Sequence, residues 1–208
     1  MRIGLLADIH GHLPHLDAVL AALATRDCDS IIQLGDTVNR GEDPTPVVTR
    51  LLEAGVTEGV WGNHDADLMN DPPRKLLKLF ARPVRSFLIN QQAALRCSGD
   101  GVSLHASHID PDLDPHEHEH LWNMRRPPKS SDEIAQIFRS SPETYLITAH
   151  RHRWFAATPA GPVSFARRME LDLADDRWFI VLDAVKNGWA AVLDLERRVL
   201  ERVRVKPT

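Results

Sequence analysis

Apolar residues recur in two rhythms along this chain, and the change between them predicts its elements. Short, mostly apolar runs at 3–7, 30–34 and 56–61 read as buried strands. Between the first two, Leu16, Val19, Leu20 and Leu23 keep the i, i+3, i+4, i+7 spacing of one helix face. Pro14 suits that helix's first turn, where a missing N–H costs nothing. Val47, Val48, Leu51 and Leu52 predict a second helix, entered through Asp43 and Pro44 and ended by Gly55. The first 65 residues therefore read strand–helix–strand–helix–strand, with polar residues after each strand.

A short helix is expected over 72–80, carrying Leu76, Leu77 and Phe80. Runs at 93–97 and 102–105 flank Ser98-Gly99-Asp100-Gly101, a hairpin signal. A helix over 132–140 and a strand over 144–149 follow. Further strands near 153–158, 162–166, 178–183, 188–195 and 198–205 complete the chain. This strand-rich second half moves the fold class from purely parallel α/β toward a mixed sandwich. Residues 106–131 are acidic, proline-containing and histidine-rich. They predict a long loop with a short helix near 117–124, and loops of that length are commonly functional.

Composition narrows the field further. With 208 residues, 43% hydrophobic and 26% charged, the chain reads as one globular domain over 1–208. A net charge of -4 gives no general drive toward nucleic acid or anionic membranes, so no stable nucleic-acid partner is expected. It does not bar a nucleotide substrate, because a metal centre supplies local positive charge. Cys28 and Cys97 read as buried small hydrophobes in a reducing compartment. The start Met-Arg-Ile-Gly-Leu-Leu-Ala-Asp lacks a signal-peptide pattern. No run approaches the roughly 20 apolar residues of a membrane span. The expected location is cytoplasmic. Oligomeric state is left open.

Candidate chemistry gathers where the strands end. Asp8-Ile9-His10, Gly35-Asp36, Trp61-Gly62-Asn63-His64-Asp65, His105 and His150-Arg151-His152 each follow an apolar run. They offer carboxylate oxygen, amide oxygen and imidazole nitrogen, the donors of borderline divalent metals. In open α/β sheets, ligands bind beyond the carboxyl ends of the strands. Because i and i+2 share a strand face, Asp8 with His10, and His150 with His152, can each reach one centre. Asp36 has two carboxylate oxygens with which to bridge two ions. Singly, Asp8 or Asp36 could be a helix cap and Asn63-His64 a plain turn; the order of the whole set argues for the site.

The order Asp-x-His, Gly-Asp, Gly-Asn-His-Asp, His, His-x-His resembles the calcineurin-like metallophosphoesterase superfamily, and its small bacterial phosphodiesterases in particular. The motifs span residues 8 to 152. The resemblance implies an α/β fold, a four-layer α/β/β/α sandwich of two mixed sheets flanked by helices. It assigns Asp8, His10, Asp36 and His152 to a first metal, and Asp36, Asn63, His105 and His150 to a second. The implied reaction is hydrolysis of a phosphodiester or phosphomonoester by a hydroxide bridging the two divalent ions. His64 contacts the phosphate and assists the leaving group. Manganese fits first, with iron, nickel and zinc also compatible. The family often carries glycine where this chain has Ala106 and Ala149, which require ordinary backbone angles.

Several residues keep two readings. Gly-Asp-Thr-Val-Asn-Arg-Gly at 35–41 is similar to the run in protein phosphatases and symmetric dinucleoside tetraphosphatases. There Arg40 would be a catalytic phosphate clamp, against the reading of a solvated loop cation. That motivates a dinucleoside polyphosphate or phosphoprotein phosphatase as the alternative function. A non-catalytic scaffold ranks below it, because no ligand position is missing. His116, His118 and His120 could form a metal-storage tract or a solvated face. His108 is retained as a substrate-side residue, and His12 and Asp65 as supports beside the ligands. Trp122 and Trp154 could line a pocket for a base or aryl group, or simply pack.

Overall fold

In strand β1 (Arg2–Leu6), side chains alternate between two hydrophobic layers. Ile3 and Leu5 face one, and Leu6 the other. That alternation sets the architecture. The computed structural model describes residues 1–69, 77–164, 168–174 and 176–206. β2 (Ser30–Leu34) and β3 (Glu58–Val60) run parallel to β1, crossing over through helices α1 (Leu13–Ala24) and α2 (Thr45–Glu53). β11 (Trp189–Asp194) pairs antiparallel on the other side of β1. It is followed by β12 (Val199–Arg204) and β9 (Glu170–Asp172), giving the order β3-β2-β1-β11-β12-β9.

The second sheet holds β4 (Ala94–Gly99), β5 (Val102–Ser107), β6 (Tyr145–Thr148), β7 (Phe155–Thr158), β8 (Gly161–Pro162) and β10 (Trp178–Val181). Their order is β4-β5-β6-β10-β7-β8, with β5, β6 and β10 parallel. Ile3, Leu5, Ile32 and Leu34 of the first sheet meet Leu104, Tyr145, Ile147 and Ile180 of the second in one buried layer. Truncating such a side chain to alanine costs about 2–5 kcal/mol. Helices α1, α2 and α4 (Arg82–Asn90) cover the outer face of the first sheet through Leu16, Val48, Leu51 and Phe87. Helix α6 (Ser131–Ser140) covers the second through Ile134, Ile137 and Phe138. This is the four-layer α/β/β/α sandwich of two mixed sheets.

The elements differ from the sequence reading in particular places. Helix α4 and strand β9 were not anticipated, and α3 (Asn63–Met69) starts inside the Gly-Asn-His-Asp motif. The helix expected over 72–80 and the strand over 162–166 fall in part outside the described residues. The long loop carries one short helix, α5 (His118–Leu121). Among the described residues, no helix is long and apolar enough to cross a membrane.

Candidate metal centre

Strands β1, β2, β3, β5 and β6 all deliver their following loops to one end of the sandwich. Asp8 and His10 follow β1, Asp36 follows β2, Asn63 follows β3, His108 follows β5, and His150 and His152 follow β6. The i, i+2 convergence does not come from strand pleating, because each pair lies beyond its strand. It comes from left-handed backbone instead. Asp8 (φ 51°), His10 (49°), Asp36 (55°), His150 (67°) and His152 (49°) all sit there. Such non-glycine conformations cost about 1–3 kcal/mol each and persist only where surroundings impose them. Here Asp8 N–H donates to Gly35 O (3.1 Å) and His10 N–H to Asp36 O (3.0 Å), lacing the two loops together. Ala149 and Ala106 keep ordinary angles, as alanine requires.

Two donor groups result, with Asp36 in both: Asp8, His10, Asp36 and His152 in one, Asp36, His108 and His150 in the other. Asp36 Oδ2 lies 3.5 Å from His10 Nε2 and 3.5 Å from His108 Nε2. In the first group His10 Nε2 is 3.0 Å from His152 Nε2, and Asp8 Oδ1 is 3.2 Å from His152 Nε2. In the second, His108 Nε2 is 3.1 Å from Asn63 Oδ1 and 3.2 Å from His150 Nδ1. Two glycines make the packing close enough. A Cβ on Gly62 would collide with the Asp36 carboxylate, and one on Gly35 with the His108 ring.

His105 is where the structure corrects the sequence reading. Strand β5 continues to Ser107, so His105 stays inside it, on the face opposite Leu104 and Ala106. Its Nδ1 pairs with Ser141 Oγ at 2.8 Å, and burial lowers its pKa to about 4. His108 is the first residue clear of the strand, and it takes the second-group position expected of His105. His108, kept by the sequence reading as a substrate-side residue, thus lies in the second donor group with Asp36 and His150. The signal in the sequence is its place directly after Ser107, at the end of an apolar-alternating run.

The donors fit a divalent cation. His108 Nδ1–H donates to Leu34 O (2.8 Å) and His10 Nδ1–H to Asn39 Oδ1 (2.9 Å), so each Nε2 points to the centre and offers its lone pair there once deprotonated. Asp8 Oδ1 is buried with no hydrogen-bond donor among the described residues. Burial disfavours charge on His108, but the Asp36 carboxylate, Asp8 and the Leu34 carbonyl outweigh it and raise the imidazole to about 9. Burial and then the His108 charge push His150 down to about 3. Against the cost of burial, His108, the His64 N–H and His10 hold Asp36 well below the usual carboxylate range. The pocket thus favours positive charge at the position where Nε2 of His108 meets Asp36, Asn63 and His150.

Supporting groups surround it. Asp65 is buried, and accepts N–H bonds from Gly62 (3.0 Å) and Thr37 (3.0 Å), bracing the Asp36 turn against α3. Burial and the nearby Asp36 charge raise its pKa to about 7. His12 caps α1, its Nδ1 accepting from His15 N–H, so it acts on the helix and not on the centre. His64, half-buried, donates its backbone N–H to Asp36 Oδ1 (2.9 Å) and lies edge-on to His10 with ring centroids 4.9 Å apart. Arg40 is exposed on the loop after Asp36, and its backbone N–H donates to His64 Nδ1 (3.0 Å).

The histidine-rich loop does not gather a third donor group among the described residues. His116 packs against Trp61, His118 against Trp122, and His120 Nδ1 accepts from Asp114 N–H. Trp122 packs beside His64 with centroids 5.1 Å apart, whereas Trp154 packs on the inter-sheet layer against Trp189.

The chain matches one family model, and its fold matches solved structures. The family model for calcineurin-like phosphoesterases matches residues 1–179. A crystal structure of a metallophosphoesterase from Sphaerobacter thermophilus superposes with a TM-score of 0.74 at 20% identity, covering 100% of this chain and 88% of that one. Hypothetical protein PH1004 from Pyrococcus horikoshii OT3 gives 0.69 at 14% identity, with 100% and 88% covered. An archaeal phosphodiesterase gives 0.57 at 15% identity, with 99% and 100% covered. At these identities the structures show a shared fold. No curated protein sequence matches.

Proposed function

The chain belongs to the calcineurin-like phosphoesterase family, and from that premise we propose that it hydrolyses a phosphodiester or phosphomonoester at a centre of two divalent ions. Asp8, His10, Asp36 and His152 would hold the first ion, and Asp36, Asn63, His108 and His150 the second. The observation that carries this reading is Asp36 Oδ2, equidistant at 3.5 Å from one imidazole of each group. Manganese is the first choice, with iron, nickel and zinc compatible with the same N/O donors. Bound ions would supply Lewis acidity to the phosphoryl oxygens and generate a nucleophile from water at neutral pH.

This chain's own residues do the rest. His64 Nδ1 accepts from the Arg40 N–H, so the neutral ring carries its proton on Nε2. That proton is available to the leaving oxygen, a role worth about 10²–10⁴-fold. Trp122, against the His64 ring, limits its rotation and shields one side from water. The Arg40 guanidinium can clamp a phosphate oxygen, as its planar fork suits. A cytoplasmic location fits the two free cysteines, Cys28 and Cys97.

A second reading, a dinucleoside polyphosphate or phosphoprotein phosphatase, is favoured by one observation: Arg40 is exposed on the loop that also carries Asp36. The test strips metal, restores manganese and follows bis(4-nitrophenyl) phosphate, 4-nitrophenyl phosphate, diadenosine tetraphosphate and a phosphopeptide. Manganese-dependent diester turnover supports the first reading, and turnover confined to the last two substrates supports the second. Two bound ions with no turnover of any substrate would overturn both and favour a scaffold.

A further inference from the structure

His108 and His150, the two imidazoles of the second donor group, lie on loops that leave two parallel neighbouring strands, β5 and β6. Nε2 of His108 comes within 3.2 Å of Nδ1 of His150. The backbone beneath them sets that spacing. Ala149 N–H donates to His108 O (3.0 Å), and Arg151 N–H donates to Ala149 O (2.8 Å). The second bond closes a three-residue turn around His150, whose φ is 67°. A turn with positive φ at its centre is rare and strained, so surrounding contacts must hold it.

Arg151 supplies those contacts. Its Nη2–H donates to the Asp110 carboxylate, and its Nε–H to Arg125 O (3.0 Å). Asp110 stands two residues after His108, and Arg151 one residue after His150. The ion pair therefore fastens the chain just beyond one imidazole to the chain just beyond the other. Arg125, near the far end of the same long loop, pairs in turn with Asp112 (2.8 Å). Arg151 and Asp110 are deeply buried, with side chains 5% and 3% exposed. In that low-dielectric setting the pair is stronger than on a surface, and its planar groups fix direction as well as distance. Neither residue belongs to a donor group. His152, of the first group, is held differently: its carbonyl accepts from Asn187 Nδ2–H (3.4 Å), and its Nε2 lies 3.2 Å from Asp8 Oδ1.

We propose that Arg151 and Asp110 are positioning residues for the second ion. Their pair sets the approach of His108 to His150, and so governs how tightly the second ion is held, while the donors of the first ion stay in place without it. The inference rests on the two-ion reading above.

The test is calorimetric titration of metal-stripped protein with manganese, with bound ions counted by native mass spectrometry. The parent protein should bind two ions. Arg151→Met and Asp110→Ala should each keep the first ion at parent affinity. Each should weaken the second by about 10–100-fold, the usual effect of losing a group that orients a metal ligand. Arg151→Lys, which keeps the charge but lacks the planar fork, should weaken the second ion less. Removing one partner also leaves the other's charge buried and alone, which lowers stability by itself. The double variant Asp110→Ala/Arg151→Met removes both charges. Its metal-free Tm should therefore recover relative to the single variants, while its second ion stays weak. Recovery of the second ion together with Tm would mean that charge burial alone caused the loss, and would overturn the proposal. Two ions held at parent affinity in Arg151→Met, or both ions weakened equally, would also overturn it. A parent protein that binds a single ion would overturn the two-ion reading and this inference with it.

Discussion

The Arg40 backbone N–H donates to Nδ1 of His64 at 3.0 Å, and this one bond fixes which nitrogen of the catalytic candidate can give a proton. The bond uses the Arg40 backbone, so the side chain can be changed without removing it.

Replacing His64 by alanine should therefore leave metal content intact and lower kcat by about 10²–10⁴-fold, the usual worth of a general acid. Metal analysis and steady-state kinetics on one preparation check this. Turnover equal to that of the parent protein would remove His64 from the mechanism.

Arg40→Ala keeps the N–H that orients His64. If the guanidinium clamps phosphate, KM should rise by about 10-fold or more, the scale of a charge-assisted hydrogen bond, with kcat nearly unchanged. An unchanged KM would remove the Arg40 side chain from substrate binding.

The exchange of His105 for His108 is open to a direct comparison. His108→Ala should lose one of two bound ions and nearly all turnover, whereas His105→Asn should keep both ions. Counting metal per chain by mass spectrometry decides between them. Two ions in His108→Ala would return the second position to another residue.

His105 also predicts a pH effect. Its folded pKa is about 4, lowered chiefly by burial, against about 6.5 in an unfolded chain. The fold thus holds it neutral, and the unfolded state binds more protons between these values. Its contribution to stability is complete above pH 6.5 and is lost as pH falls toward 4. His105→Asn, which can still meet Ser141, should flatten that acid limb in denaturant titrations of metal-stripped protein. An identical slope in both proteins would count against this assignment.

Metal removal should lower thermal stability, because ions bind the folded donor set and not the unfolded chain. At 100 times Kd the gain is about 2.7 kcal/mol, which for a chain of this length corresponds to roughly 5–10 °C in Tm. Calorimetry with and without manganese reads it. Asp36→Ala, which removes the shared carboxylate, should abolish most of the shift.

Most of the fold was legible because its signals are local. Leu16, Val19, Leu20 and Leu23 mark α1 without reference to any other element, and the apolar run at 30–34 marks β2 to the residue. Helix α4 was missed because its signal, Val84, Phe87 and Leu88, is short and acquires meaning only against the first sheet. The short strand β9 exists only through its pairing with β12.

The sequence by itself determined the donor types, their order along the chain and their position after buried strands, since each of these is written in neighbouring residues. The tertiary structure decided which histidine meets Asp36, because the length of β5 depends on hydrogen bonds to β4 and β6, segments before and after it in the chain. It also decided how the pairs converge. Left-handed backbone at Asp8, His10, Asp36, His150 and His152 is unfavourable locally, and loops from distant strands hold it in place by bonding to one another.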